Sequence, residues 1–227
     1  MIYLTGDTHG CFTRIGEFVR KMNTTADDIM IILGDAGVNY FGNPKDMSVK
    51  AVLSEYSITL FCLHGNHEMR PAAVGTYKMK EFCGGFVWYE ENYPNILFAK
   101  DGEIYTLGGK RCIAIGGAYS VDKQYRLNRG YGWWADEQPS EEIKAYVEEQ
   151  LKNNAVDVIL SHTCPYKYEP RETFLPFISQ DTIDCSTEKW LDVIEESTNY
   201  KAWYCGHWHT DKRIDKMHFL FESFEML

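Results

Sequence analysis

Five times in this chain a short apolar run stops at a small residue or a histidine and gives way to aspartate, asparagine or histidine. Residues 2–5 precede Gly6-Asp7-Thr8-His9-Gly10, residues 28–33 precede Gly34-Asp35, and residues 58–63 precede His64-Gly65-Asn66-His67-Glu68. Residues 156–160 lead into Ser161-His162-Thr163, and residues 202–205 into Gly206-His207-Trp208-His209. Apolar runs of this length, bounded by turn residues, are the signature of buried strands. Each polar motif then lies just beyond the C-terminal end of a strand, the edge of an α/β sheet where loops converge on ligands. Glycine at that exit permits a sharp turn and lets backbone approach a bound ion or phosphate closely.

Helical stretches separate the runs. Residues 12–22 carry Phe12, Ile15, Phe18, Val19 and Met22 at helical spacing, and 46–56 form a second predicted helix. Ser140 can cap a helix over 140–152, with Glu141 and Glu142 in its first turn. A further helix is expected at 186–196, with Trp190, Leu191 and Ile194 inward. Residues 95–99, 103–107 and 111–116 suggest an antiparallel meander turning at Lys100-Asp101-Gly102 and Gly108-Gly109-Lys110. Residues 218–224 alternate as a last strand. The stretch 118–139 is aromatic and has no steady period, which at this length indicates a functional loop. With no repeat and no linker, 1–227 is expected to be one domain.

The net charge of −10 argues against broad attraction to nucleic acid or anionic membrane. No apolar run approaches the roughly 18 residues of a membrane span. The seven cysteines form no Cys-x-x-Cys pair and mostly sit in apolar surroundings, as expected for reduced thiols inside a cell. The first motif begins so early that no leader is expected before it. These features together imply a cytoplasmic protein.

The polar motifs supply a metal-ligand set. Asp7 and His9 are two apart in extended chain and face one side, so they can share an ion; His207 and His209 repeat that spacing. Asp35 is the natural bridge, because a carboxylate offers two oxygens to two cations. Asn66 adds an amide oxygen and His162 a ring nitrogen. Oxygen and imidazole ligands without thiolate suit Mn²⁺ first, with Fe or Zn²⁺ as alternatives. Two such ions about 3.5–4 Å apart can clamp a phosphate and generate a bridging hydroxide for in-line attack. His67 is then free to protonate the leaving alcohol.

In this order the motifs resemble the calcineurin-like metallophosphoesterases: Asp-x-His, Gly-Asp, Gly-Asn-His-Glu, a lone His, then Gly-His-x-His. The resemblance runs from Asp7 to His209. It implies an α/β fold of two face-to-face mixed β-sheets flanked by helices, a four-layer αββα sandwich. It implies Asp7, His9, Asp35 and His209 on a first metal and Asp35, Asn66, His162 and His207 on a second, with His67 as acid. The chain departs from the phosphoprotein phosphatases of that group. Val38 replaces the aspartate that would orient the acid, and His64 replaces a phosphate-binding arginine. Asn39 is the nearest substitute partner for His67. Arg126 is the first candidate for gripping phosphate, ahead of Arg171, because a guanidinium suits phosphate oxygens. The expected substrate is a phosphate mono- or diester of unspecified identity. A nuclease-like phosphodiesterase and a non-catalytic scaffold of the same fold are the alternatives.

Overall fold

The computed structural model describes residues 1–42, 44–174, 176 and 179–227. Seven strands build one sheet: β1 (Ile2–Thr5), β2 (Ile29–Ile32), β3 (Thr59–Cys62), β4 (Lys78–Phe82), β5 (Gly85–Glu90), β6 (Tyr93–Ala99) and β13 (Glu225–Met226), in the order β13-β1-β2-β3-β6-β5-β4. Six build the other: β7 (Ile104–Leu107), β8 (Lys110–Ile115), β9 (Val158–Ser161), β10 (Ala202–Cys205), β11 (Lys212–Ile214) and β12 (Met217–Phe219), in the order β11-β12-β10-β9-β8-β7. The central strands of each sheet are parallel, and the edges are antiparallel.

Strand register explains the layering. Leu4, Ile31, Phe61 and Leu97 stand side by side across four strands and face the second sheet, meeting Tyr105, Ala114, Leu160 and Tyr204 in a shared core. Their neighbours Tyr3, Met30, Leu60 and Ile96 point the other way. They pack beneath α1 (Thr13–Met22) and α2 (Pro44–Ser54), through Ile15 and Leu53. On the far side, Ile113, Ile159 and Trp203 pack beneath α4 (Glu141–Asn153) and α5 (Ser186–Ser197), through Val147, Leu191 and Ile194. This is the αββα sandwich. Period-two alternation makes strands buried on both faces read as unbroken apolar runs. Each fully buried aliphatic contributes on the order of 1.5–3 kcal/mol.

Three local expectations change. The meander at 95–116 is split: β6 pairs with β3 and β5, whereas β7 and β8 form a hairpin in the other sheet. The chain crosses between sheets at Asp101, whose carboxylate accepts from Gly116 N at 2.6 Å and meets Arg70 at 2.5 Å. The last strand expected at 218–224 is not formed as one element: β12 ends at Phe219, residues 220–224 form no strand, and β13 follows in the other sheet. The aperiodic stretch 118–139 holds a short helix, α3 (Lys123–Arg129), closed by Gly130 in the left-handed region. Ser140 does cap α4, accepting from Ile143 N at 3.3 Å.

Candidate metal centre

The loops after β1, β2, β3, β9 and β10 meet at one end of the sandwich. Backbone bonds stitch them together: Thr8 N and His9 N donate to Asp35 O, His162 N to Ile115 O, and Gly206 N to His162 O. Arg14, which sequence reasoning passed over, locks the first loop by donating to Asp7 O at 2.7 Å and Gly6 O at 2.9 Å. His9, Asp35, His207 and His209 all have φ between 46° and 65°. That left-handed conformation is costly for residues other than glycine and persists only where surrounding structure imposes it. The motif glycines have a second reason to be there. A Cβ on Gly65 would lie 2.0 Å from Asp35 Oδ1, and one on Gly206 would lie 2.4 Å from Asp7 Oδ1.

Both aspartates are held by one oxygen and present the other. Asp7 Oδ1 accepts from His207 N at 2.8 Å, and Asp35 Oδ1 accepts from His67 N at 2.7 Å. Asp7 Oδ2 is buried without a hydrogen-bond partner. It lies 3.3 Å from His209 Nε2 and 3.6 Å from His9 Nε2. Asp35 Oδ2 lies 3.6 Å from His162 Nε2 and 4.0 Å from His9 Nδ1. Burial pushes the Asp7 carboxyl up, but the close approach of the His209 ring, with His162 and His9 nearby, outweighs it and holds Asp7 below the usual carboxylate range. The same approach raises His209. His207 is lowered well below its ordinary value, by burial first and by His162 next, which leaves its ring neutral with a lone pair.

His162 gives the clearest sign of a cation site. Its Nδ1 meets Leu33 O at 2.7 Å, so in the neutral ring Nε2 carries the lone pair. That nitrogen lies 2.9 Å from Asn66 Oδ1. The amide orientation is fixed, since Asn66 Nδ2 donates to Ser120 Oγ at 2.9 Å, and Ser120 in turn donates to Glu137 Oε2 at 2.6 Å. Two acceptors therefore face each other in a buried place. His9 Nε2 and His209 Nε2 approach to 2.9 Å, within hydrogen-bond distance of each other. Among the described residues, ligand atoms cluster within 4.8 Å in three groups: Asp7, His9 and His209; Asp7, Asp35 and His162; His9, Asp35 and His67. His207 belongs to none of these, though its ring centroid is 5.0 Å from that of His162.

Around His67 the structure corrects several expectations. Asn39 does not face it; Asn39 Oδ1 accepts from Tyr77 OH at 3.1 Å. The group facing His67 Nε2 is Asp122 Oδ1, at 3.8 Å. Burial lowers the His67 pKa, Asp35 and Asp122 oppose it, and Arg126 adds to it. Arg126 itself is only 2% exposed and does not line the cavity. It donates through Nη1 to Ser120 Oγ at 3.1 Å and to Asn66 O at 3.4 Å, which ties it to the loop that carries His67, while its Nε and Nη2 are buried without a partner. Arg171 lies over the Tyr166 ring, away from the cavity. His64 is buried against Glu68 O and is lowered well below its ordinary value, by burial first and the Arg70 charge next; it cannot replace an anion-binding arginine. Glu68 braces the second motif by accepting from Ala36 N and Gly37 N.

His9, Asp35, Asn66, His67, His207 and His209 line a cavity of about 560 Å³. Its walls include Val121, Glu169, Phe174, Ile183 and Cys185, none of which sequence reasoning singled out. They come from two aperiodic stretches, and only the irregularity of those stretches could have pointed to them.

The family described as calcineurin-like phosphoesterase matches residues 1–211. A search of curated proteins finds no match. Among solved structures, phosphopantetheinyl hydrolase (PptH) from Mycobacterium tuberculosis is 14% identical, with a TM-score of 0.51 over 97% of this chain and 87% of its own. A second crystal structure is 13% identical, with a TM-score of 0.52 over 96% and 88%. TT1561 of Thermus thermophilus is 13% identical, with a TM-score of 0.48 over 91% and 80%. At these identities the likeness to the first two is one of fold.

Proposed function

The chain belongs to the calcineurin-like phosphoesterase family, and on that premise we propose that it hydrolyses a phosphate mono- or diester with two divalent metal ions. The observation that carries this reading is the buried convergence of acceptors: Asp7 Oδ2 without a donor, and His162 Nε2 against Asn66 Oδ1. A buried acceptor without a partner costs about 1–3 kcal/mol, which a cation would relieve. Asp7, His9, Asp35 and His209 would hold one ion; Asp35, Asn66, His162 and His207 would hold the other. Nitrogen and oxygen donors without thiolate fit Mn²⁺, with Fe or Zn²⁺ as alternatives. When bound, such ions polarise a phosphoryl oxygen and make water acidic enough to attack phosphorus near neutral pH.

The protein's own groups complete the chemistry. Leu33 O fixes the His162 ring through Nδ1, and the backbone amides of His67 and His207 aim the two carboxylates. His67, close to the cluster but bonded to it only through its backbone, donates a proton to the departing oxygen. Asp122 stabilises the protonated ring across 3.8 Å. Phe174 and Trp208, stacked with centroids 5.7 Å apart, cover one side and exclude water. The test is hydrolysis of 4-nitrophenyl phosphate and bis(4-nitrophenyl) phosphate with added Mn²⁺, beside an Asp35→Asn control. Metal-dependent release of nitrophenol that vanishes in the control is expected. Silence on both esters from protein shown to bind Mn²⁺ would overturn the reading.

A further inference from the structure

We propose that the substrate is a phosphodiester whose two organic arms lie in separate recesses on either side of His9 and His67, an inference that rests on the phosphoesterase reading above. The cavity over the ligand cluster has about 560 Å³, and a second recess of about 330 Å³ lies beyond the two histidines. Among the described residues only His9 and His67 line both. The second recess is walled by Gly10, Gly37, Tyr40, Phe41, Lys45 and Val49. Tyr40 and Phe41 meet edge to face at 4.8 Å, and Trp134 packs against Tyr40 at 5.5 Å. Each space falls within the range of about 300–1,000 Å³ typical of a small-molecule site.

A phosphate monoester has one arm and leaves one of these spaces without a use. A diester has two, and its phosphorus would sit between them. Charge points the same way. Among the described residues no lysine or arginine lines the larger cavity, whereas Asp122 and Glu169 do. Those carboxylates repel a monoester dianion more strongly than a diester, which carries one charge and turns a neutral arm toward them. The apolar wall of Val121, Phe174, Ile183 and Trp208 suits that retained arm.

The departing arm lies in the recess of Tyr40 and Phe41, whose aromatic faces suit a planar or apolar group. Through Gly10, Lys45 and Val49 this recess adjoins a groove reaching Val52 and Tyr56, which gives a long arm room. The oxygen of a water molecule forms the new bond to phosphorus. The bond from phosphorus to the oxygen of the departing arm breaks, and its electrons leave with that oxygen. His67 supplies the proton and recovers one from the attacking water through solvent. A monoester remains in the larger cavity and an alcohol in the smaller.

The test uses the full chain with Mn²⁺. The kcat/KM for bis(4-nitrophenyl) phosphate should exceed that for 4-nitrophenyl phosphate at least tenfold. Phe174→Ala, in the retained-arm wall, should raise KM about fivefold for the diester and by a clearly smaller factor for the monoester. Phe41→Ala should raise KM for both, because both have an aryl leaving arm. Diphenyl phosphate binding, followed by tryptophan fluorescence, should weaken in parallel with the diester KM, and Phe174→Leu should recover part of the loss. Faster monoester hydrolysis, or a Phe174→Ala effect equal on both esters, would overturn the diester proposal and leave the phosphoesterase reading standing. Absence of hydrolysis of either ester would overturn both.

Discussion

Asp122 Oδ1 lies 3.8 Å from His67 Nε2, and that oxygen is buried without a hydrogen-bond partner. At this distance the interaction is Coulombic and not a hydrogen bond. The carboxylate arrives from the residue before α3, while Val38 occupies the place where the resembling phosphatases carry theirs. In the proposed mechanism Asp122 would supply the charge beside His67 from a different place in the chain.

If Asp122 favours protonated His67, its effect should depend on the leaving group. Asp122→Asn is expected to slow esters of simple alcohols about tenfold and activated nitrophenyl esters no more than about threefold. His67→Ala should show the same pattern with a larger loss, in the range of about 10²–10⁴ for alcohol leaving groups. An equal loss on both ester types would show that Asp122 acts by some route other than the proton.

Metal binding should be visible in stability before any substrate is added. Mn²⁺ at a hundredfold excess over Kd should stabilise by about 2.7 kcal/mol for each site filled, which raises Tm by about 5–10 °C per site at this chain length. Chelator should reverse the shift, and Asp7→Asn should remove most of it. A melting curve indifferent to Mn²⁺ would count against the ligand set.

Glu188 supplies a pH prediction. Burial raises its carboxyl to about 7; its own backbone N–H and the Thr163 hydroxyl oppose that, and the charges of Glu169 and Asp184 add to it. A raised folded value means the native state holds the proton more tightly than the unfolded chain. The associated stability is complete below about 4.5, the ordinary value, and is lost as pH rises through about 7. Glu188→Gln mimics the protonated acid, so at pH 8 it should be more stable than the parent by on the order of 2 kcal/mol. The gap should close toward pH 5. Urea titrations at the two pH values measure it, and a gap that widens at low pH would refute the sign.

The ligand motifs were legible because each is contiguous and follows a strand whose apolar run is buried on both faces, as Met30 and Ile31 illustrate. What escaped depends on distant contacts. The turn at Lys100-Asp101-Gly102 reads as a hairpin, but Asp101 bonds Gly116 and Arg70, and that crossing sends β7 to the other sheet. β4 and β5 were hidden because Lys78–Phe82 is an edge strand with little buried surface and a charged sequence. Arg126 reads as a candidate phosphate grip, and its burial follows from distant contacts with Ser120, Asn66 O and the Trp134 face. Asp122 gave no local sign that it would face His67.

A buried ion pair offers a test of how α2 is anchored beside the second recess. Lys50 Nζ lies 2.5 Å from Glu90 Oε2, with side-chain exposures of 5% and 12%, and Thr76 donates to the other carboxylate oxygen at 2.5 Å. The ammonium also lies 4.9 Å from the Tyr77 ring centroid. Lys50→Met removes one charge and leaves Glu90 buried without its cation, a loss of about 3–5 kcal/mol. Lys50→Met combined with Glu90→Gln removes both charges while Thr76 can still pair, so most of the stability should return. Non-additivity in a double-mutant cycle by urea denaturation is the signature. The same α2 carries Lys45 and Val49 into the recess. Loosening it in the single variant should therefore also raise KM for an aryl diester, and the double variant should restore it.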